Sequence, residues 1–236
     1  MIDWKKRLKT ELPFFREILG HQSSILDLAC GVGRHAFEFA KWGHRVKGID
    51  IDPQMIEKAT QHARSHHIEH LTTFEIGSFE DILKGKDFGD FTHIVCIGNS
   101  LSLIQQKEDL DPLMHRLASY LRSGGQLVLQ ILNYDGLETK LPYHKLVNNT
   151  SGFFLRIYEA INCHQIRFTL APVLRSSKGH WKSYNPVESF LWKISANELI
   201  TLLRINGFIK IKLYGSYSKT EFSTDSAYLL LVATLK

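Results

Sequence analysis

Short apolar runs alternate with amphipathic stretches through the first half of the chain. Ile25–Leu28 is a compact apolar run ending at glycines, which predicts a buried strand. Arg34–Trp42 sets Ala36, Phe37, Phe39 and Ala40 at helical spacing, and Gly43 stops the helix. Arg45–Ile49 predicts a second strand. Asp52-Pro53 then opens a second helix, an N-cap followed by a first-turn proline. Leu71–Ile76 and Phe91–Ile97 predict further strands. Asp111–Leu121 predicts a helix ended by Ser123-Gly124-Gly125, and Gln126–Leu132 a fifth strand. Leu12–Leu19 ahead of all these predicts an amphipathic opening helix. Strands alternating with helices imply an α/β fold whose mostly parallel sheet is covered on both faces.

The pattern changes after Tyr134. Phe153–Ile161, Gln165–Leu170 and Glu188–Trp192 read as successive strands, with Asn162-Cys163-His164 as the tight turn between the first two. They predict an antiparallel β flap inserted into the main domain. Ser195 next caps a helix, with Glu198 completing a capping box, and Gly207 ends it. Phe208–Tyr214 and Tyr228–Thr234 predict the last two strands. The expected organisation is one domain over residues 1–133 and 195–236, with residues 134–194 as a substrate lid.

Composition narrows the classes without naming a chemistry. The 236 residues are 44% hydrophobic and 22% charged, ordinary for a globular protein. The net charge of +5 is dispersed, so nucleic acid is not the expected partner. Cys30, Cys96 and Cys163 lie too far apart for a zinc site or a disulfide framework, and no metal is expected. His62 and His66 share a helix face, but the residues between them, Ala63-Arg64-Ser65, lack the glutamate of a zinc-protease helix. Met1–Gly20 has no apolar core of a secretory signal, and no apolar run reaches the roughly 18 residues of a membrane span. The expectation is a soluble, cytoplasmic protein with no membrane partner. A homodimer through the opening helix or the flap stays open.

The chemistry concentrates in Ile25-Leu-Asp-Leu-Ala-Cys-Gly-Val-Gly-Arg-His35. A strand enters a glycine turn and leaves as a helix. Gly31 and Gly33 admit close backbone approach by a ligand, and the helix N-terminus behind them offers unpaired N–H groups. Seventeen residues after Gly33, Asp50 ends the second strand, well placed to accept hydrogen bonds from a ribose diol. Gly31-Val-Gly33-Arg-His-Ala36 equally fits the dinucleotide pattern, so the glycines do not decide. Asp27 points the other way. A carboxylate beside the loop repels a pyrophosphate and favours a cationic aminoacyl sulfonium.

Leu26–Gly33 resembles motif I of class I S-adenosylmethionine-dependent methyltransferases, and Gly48–Asp50 resembles their ribose-binding segment. Ile97-Gly-Asn-Ser-Leu101 is similar to a loop of glycine/sarcosine N-methyltransferase-like small-molecule enzymes, and Leu121–Leu129 to the family's glycine turn and fifth strand. The resemblance implies a Rossmann-like seven-stranded, mostly parallel sheet with an antiparallel last strand. It also implies S-adenosyl-L-methionine as cofactor, held by Asp27, Ala29, Gly31, Gly33, Arg34, Asp50, Ile51, Met55, Ser78, Phe79 and Ile97. Ser78 is a departure, since the family usually has an acid there.

Methyl transfer from a sulfonium is expected to be in-line, and no acid or base is singled out. Asn99, Ser100, Asn133 and Tyr134, at the ends of the fourth and fifth strands, are the candidates for positioning a small-molecule substrate. In the flap, Arg156 or Arg175 is the candidate for holding a substrate carboxylate, with Tyr158 and Trp181 beside them. The acceptor, N or O, stays open. So do an RNA or protein methyltransferase, an NAD-dependent oxidoreductase disfavoured by Asp27, and a non-catalytic methyltransferase-like module.

Overall fold

A computed structural model describes residues 3–137, 140–149, 152–176 and 179–236. The chain opens with α1 (Trp4–Leu19), then runs β1 (Ser24–Leu28), α2 (Arg34–Lys41), β2 (Arg45–Asp50), α3 (Pro53–Ser65), β3 (Thr72–Ile76), α4 (Phe79–Leu83), β4 (Phe91–Cys96), α5 (Leu110–Ser119) and β5 (Leu121–Leu132). A short α6 (Tyr134–Leu137) leads into β6 (Tyr143–Asn149), β7 (Gly152–Ala160), β8 (Gln165–Arg175), β9 (Trp181–Ser183) and β10 (Val187–Trp192). The chain finishes with α7 (Ala196–Ile205), β11 (Phe208–Tyr214) and β12 (Tyr228–Leu235).

Seven strands form one sheet in the order β11-β12-β5-β4-β1-β2-β3. β1 through β5 run parallel to one another, while β12 is antiparallel to both β5 and β11. The expected fold class and the antiparallel last strand are therefore present. Strand order reverses between β1 and β4, and open α/β sheets place ligand crevices at the carboxyl ends of the strands beside such a reversal.

The central strands are buried on both faces, as a covered parallel sheet requires. Leu26, Leu28, Ile94 and Leu129 pack one side with residues of α5 and α7. Ile25, Val95 and Val128 pack the other with Phe14 and Phe15 of α1 and Phe39 of α2. Each such side chain contributes about 1.5–3 kcal/mol when fully buried.

The second sheet lies between β5 and α7, in the order β10-β8-β7-β6 with β9 also on β8. Pairing sets Arg156 opposite Leu170, Tyr158 opposite Phe168, and Ala160 opposite Ile166 on one face. That face is the inner one: Tyr158, Ile166 and Leu191 are buried and join the core of the main sheet.

Several expectations change in detail. The opening helix begins at Trp4 rather than Leu12, capped by Asp3, whose carboxylate accepts from Lys6 N. Pro13 lies inside it, where packing of Phe14 and Phe15 outweighs the missing N–H. α5 ends at Ser119, and Ser123-Gly124-Gly125 belongs to β5 instead, absorbed as an irregularity between the Phe91↔Leu121 and His93↔Gln126 pairs. β6 and β9 were not foreseen. Ser195 does cap α7, but Glu198 turns its carboxylate to Lys107 (3.0 Å) instead of back to the cap.

Candidate functional site

The turn after β1 is built from left-handed residues. Ala29, Gly31 and Gly33 all have positive φ, at 56°, 55° and 72°. A Cβ on Gly33 would stand 2.9 Å from Phe74 Cζ, whereas around Gly31 nothing lies within 4 Å. That clear, Cβ-free approach is a cradle suited to a ligand. Asp50 holds the turn in shape: its Oδ2 accepts the Gly31 N–H at 2.7 Å and its Oδ1 the Asp52 N–H at 3.0 Å. Each carboxylate oxygen retains a second lone pair for a ligand hydroxyl.

Asp27 lies on the strand beside Asp50, paired with Gly48. It is 3% exposed. Burial first, and the nearby Asp50 second, push its carboxyl up to about 7, while Arg7 pulls it back. Arg7 reaches this point from α1. Its Nη2 lies 3.9 Å from where a Cβ of Gly98 would be, so the guanidinium stands over the ends of β1 and β4. Arg7 is the functional candidate that sequence reasoning missed. With the helix begun at Leu12, Lys5, Lys6 and Arg7 read as scattered charge. Asp3 as N-cap and the i,i+4 spacing of Arg7 and Glu11 were the available signals.

Past Asp50, Ile51 is 72% exposed, a large apolar side chain presented to the cleft rim, with Met55 half-buried on α3. A flat apolar ring covering Ile51 would remove that exposure. Ser78 has another occupation. It caps α4 in a full capping box with Asp81, its Oγ donating to Asp81 Oδ2 at 2.8 Å and accepting from Asp81 N at 3.2 Å. Phe79 packs against the main core. Arg34 extends within electrostatic reach of His62 on α3, and its Nε is buried without a hydrogen bond.

On the β4 side, Ile97 is buried and its carbonyl accepts Ser100 Oγ at 3.2 Å. Asn99 has φ 72°, and its Oδ1 accepts from Leu132 N at 2.8 Å and Ser102 Oγ at 3.1 Å. The same amide exchanges hydrogen bonds with the Tyr134 hydroxyl. Burial raises that phenol to about 12, so it remains a neutral donor and acceptor. Tyr158 of the flap is close enough to contribute to the Tyr134 shift, and the Arg156 guanidinium stands beside the Tyr158 hydroxyl. Arg156 Nε is buried without a hydrogen-bond partner. Asn99, Tyr134, Tyr158 and Arg156 thus converge between β4 and the flap.

Two expected substrate residues are elsewhere. Asn133 is 3% exposed, and its Nδ2 reaches the carbonyls of Ser223, Thr224 and Ser226 at 3.0, 3.0 and 2.9 Å. Its amide ties the β11–β12 loop to β5. Arg175 lies five residues beyond Leu170 on β8, on the outer face, with Nε to Gly179 O at 3.3 Å; that spacing is about 17 Å. Trp181, paired with Arg175, is exposed as well. Among the described residues, no group of three or more His, Cys, Asp or Glu side chains could hold a metal, and no helix is long and apolar enough to cross a membrane.

Residues 25–125 match the family model of a methyltransferase domain. The glycine/sarcosine/dimethylglycine N-methyltransferase of Actinopolyspora halophila is 24% identical over 99% of this chain and 40% of its own length. The glycine/sarcosine N-methyltransferase of Parasynechococcus marenigrum is 30% identical over 58% of this chain and 48% of its own length. The chain therefore spans about half the length of these curated relatives or less. A solved S-adenosylmethionine-dependent methyltransferase from Clostridium acetobutylicum shares the fold, with a TM-score of 0.82 at 16% identity, over 99% of this chain and 92% of that one. Residues 25–125, which hold the glycine turn and Asp50 at the sheet's reversal point, thus resemble a methyltransferase domain, and the chain shares the fold of a solved S-adenosylmethionine-dependent methyltransferase.

Proposed function

We propose that this protein transfers the methyl group of S-adenosylmethionine, in line, to a nitrogen or oxygen of a small molecule bearing an anionic group. The observation that carries the cofactor half is Asp27, a buried carboxyl raised to about 7 at the mouth of an open glycine cradle. A buried carboxyl raised in this way gains stabilisation when a cation docks beside it. The ammonium of the methionine moiety has that charge. In this reading Asp50 takes the ribose hydroxyls, Ile51 and Met55 cover the adenine, and Arg7 takes the methionine carboxylate. Ala29, Gly31 and Gly33 provide backbone.

Bound S-adenosylmethionine supplies an activated methyl on a sulfonium. The chain's own part is alignment and exclusion of water. Effective molarities on the order of 10⁵ M or more are available from positioning without an acid or base. Asn99 and Tyr134 wall the acceptor side, the flap roofs it, and Arg156, whose buried Nε has no partner, receives the substrate anion. The relatives named for glycine and sarcosine methylation are compatible with an amine bearing a carboxylate.

Calorimetry with S-adenosylmethionine, S-adenosylhomocysteine and NAD tests the first half. Either sulfur ligand at 100 to 1,000 times its Kd should stabilise the fold by roughly 2.7–4 kcal/mol. Binding of NAD alone would sink the reading. A methyl-donor consumption screen over small amines and hydroxyl compounds, with and without a carboxylate, tests the second half. Arg156→Ala should raise KM for the anionic acceptor roughly 10- to 100-fold with a smaller change in kcat. An unchanged KM removes Arg156 from the substrate site.

A further inference from the structure

α1 lies outside the segment matched as a methyltransferase domain, yet it carries a buried polar chain that ends at the cofactor cleft. Glu11 and His35 are each 6% exposed. Glu11 Oε1 accepts Arg7 Nε at 2.8 Å, and Glu11 Oε2 contacts His35 Nε2 at 2.6 Å. Aromatic rings surround the pair: Trp4 and Phe15 stand edge-on to the His35 ring, and Tyr217 is close enough to feel the charges of both Glu11 and Arg7. Burying a carboxyl and an imidazole here costs free energy that apolar side chains of similar size would not cost. Both Glu11 oxygens are satisfied, so the arrangement has one defined geometry.

Its two ends show what that geometry serves. His35 is the second residue of α2, directly behind the Gly31–Gly33 turn. Arg7 is the cation over Asp27 and Gly98. Glu11 uses one oxygen for each, so it ties the turn to the guanidinium. Holding Arg7 through Nε leaves its Nη2 on the Gly98 side, at the end of β4.

We propose that Glu11 and His35 are positioning residues that aim Arg7 at the carboxylate of the methionine moiety, so that α1 forms the wall of the cofactor's amino-acid end. This rests on the cofactor reading above. Neither residue touches the ligand. They act by fixing the direction of a long, rotamer-rich side chain whose freedom otherwise dilutes the contact.

The test is equilibrium binding of two probes, S-adenosylmethionine and its decarboxylated form, to the full chain and to Arg7→Met, Glu11→Gln and His35→Gln. A charge-assisted contact makes the wild type prefer the carboxylate-bearing probe by roughly 10- to 100-fold. In Arg7→Met this preference should fall to within about 3-fold of unity, and in Glu11→Gln and His35→Gln it should fall by at least about 5-fold. Affinity for the decarboxylated probe should stay within about 3-fold of wild type throughout. If Arg7→Met loses the preference while both other variants keep it, the positioning role is overturned and the Arg7 contact survives. If both probes weaken together in the Glu11 and His35 variants, the chain of contacts is merely structural and the proposal fails. If Arg7→Met keeps the preference, the carboxylate assignment itself is wrong. Apo melting curves identify a variant that does not fold, in which case its companion decides.

Discussion

Replacing Asp27 by Asn should make the ligand-free protein more stable and reduce the extra stability that bound S-adenosylmethionine adds. Burial lifts the Asp27 carboxyl from an ordinary 3.8 to about 7. Each tenfold change in proton affinity is worth about 1.4 kcal/mol, so the ionised carboxylate costs the fold at most roughly 4 kcal/mol. Relaxation and water entry reduce that ceiling, and about 1–3 kcal/mol is the expected gain from the neutral amide. The sign follows from the raised value. Between about pH 4 and pH 7 the folded state keeps a proton that the unfolded state has lost, so this group's contribution to stability falls as pH rises through that window. The advantage of Asp27→Asn should therefore grow from about pH 4 and level off above about pH 7. In a chain of this size it amounts to a Tm increase of roughly 3–10 °C at about pH 8. Calorimetric melting across a pH series measures it. The same variant should bind S-adenosylmethionine roughly 10- to 100-fold more weakly near neutral pH, with methylthioadenosine, which lacks the amino acid, unaffected. A Tm gain independent of pH, or a loss at every pH, would refute the reasoning that this carboxyl is held ionised against burial.

Asp50→Ala removes the clamp on the Gly31 N–H and, with it, the ribose contact proposed above, so calorimetry should show cofactor affinity lost by at least about 100-fold and apo Tm lowered, whereas a simple surface acid would change neither. Asn133→Ala frees three carbonyls of the loop at Ser223–Ser226 and should lower stability by roughly 2–4 kcal/mol in urea unfolding, with its larger effect on Tm than on substrate KM. Ser78→Ala should cost about 1 kcal/mol through the lost cap, yet shift the Kd of S-adenosylmethionine by less than about 3-fold; a larger shift would return Ser78 to the cofactor site.

The β1–α2 turn was readable from residues because its chemistry is local. Positive φ at Gly31 and Gly33, the strand before them and the helix after them are written in consecutive positions. Asp50 was readable too, since a βαβ unit puts the end of β2 beside the end of β1 at nearly fixed spacing. Ser78 and Asn133 show where such reading stops. Both sit at strand ends that face a cleft, but a hydroxyl or amide bonds the nearest backbone group available. For Ser78 that partner is three residues away; for Asn133 it is a loop 90 to 93 residues distant. Only the first was recoverable, from the Ser78-x-x-Asp81 spacing.

The flap divides in the same way. Its period-two pattern announced antiparallel strands, but not their face. Register decides that: Arg156 shares the inner side with Tyr158 and Ile166, while Arg175 falls on the outer side. Two arginines equivalent on paper thus come apart, because a strand turns successive side chains to opposite faces and each added residue moves them about 3.3 Å along.

By itself, then, the sequence determined the α/β alternation, the glycine turn, the acid at the end of β2 and the presence of an inserted sheet, all of which depend on neighbours a few residues apart. The tertiary structure decided that Asp27 is buried enough to be raised to about 7, that Arg156 rather than Arg175 lies on the flap's inner face, and that Arg7 stands over the cleft, tied through Glu11 to His35. Burial, charge and direction at those positions come from side chains brought together across long stretches of chain, and no local pattern encodes which of them will meet.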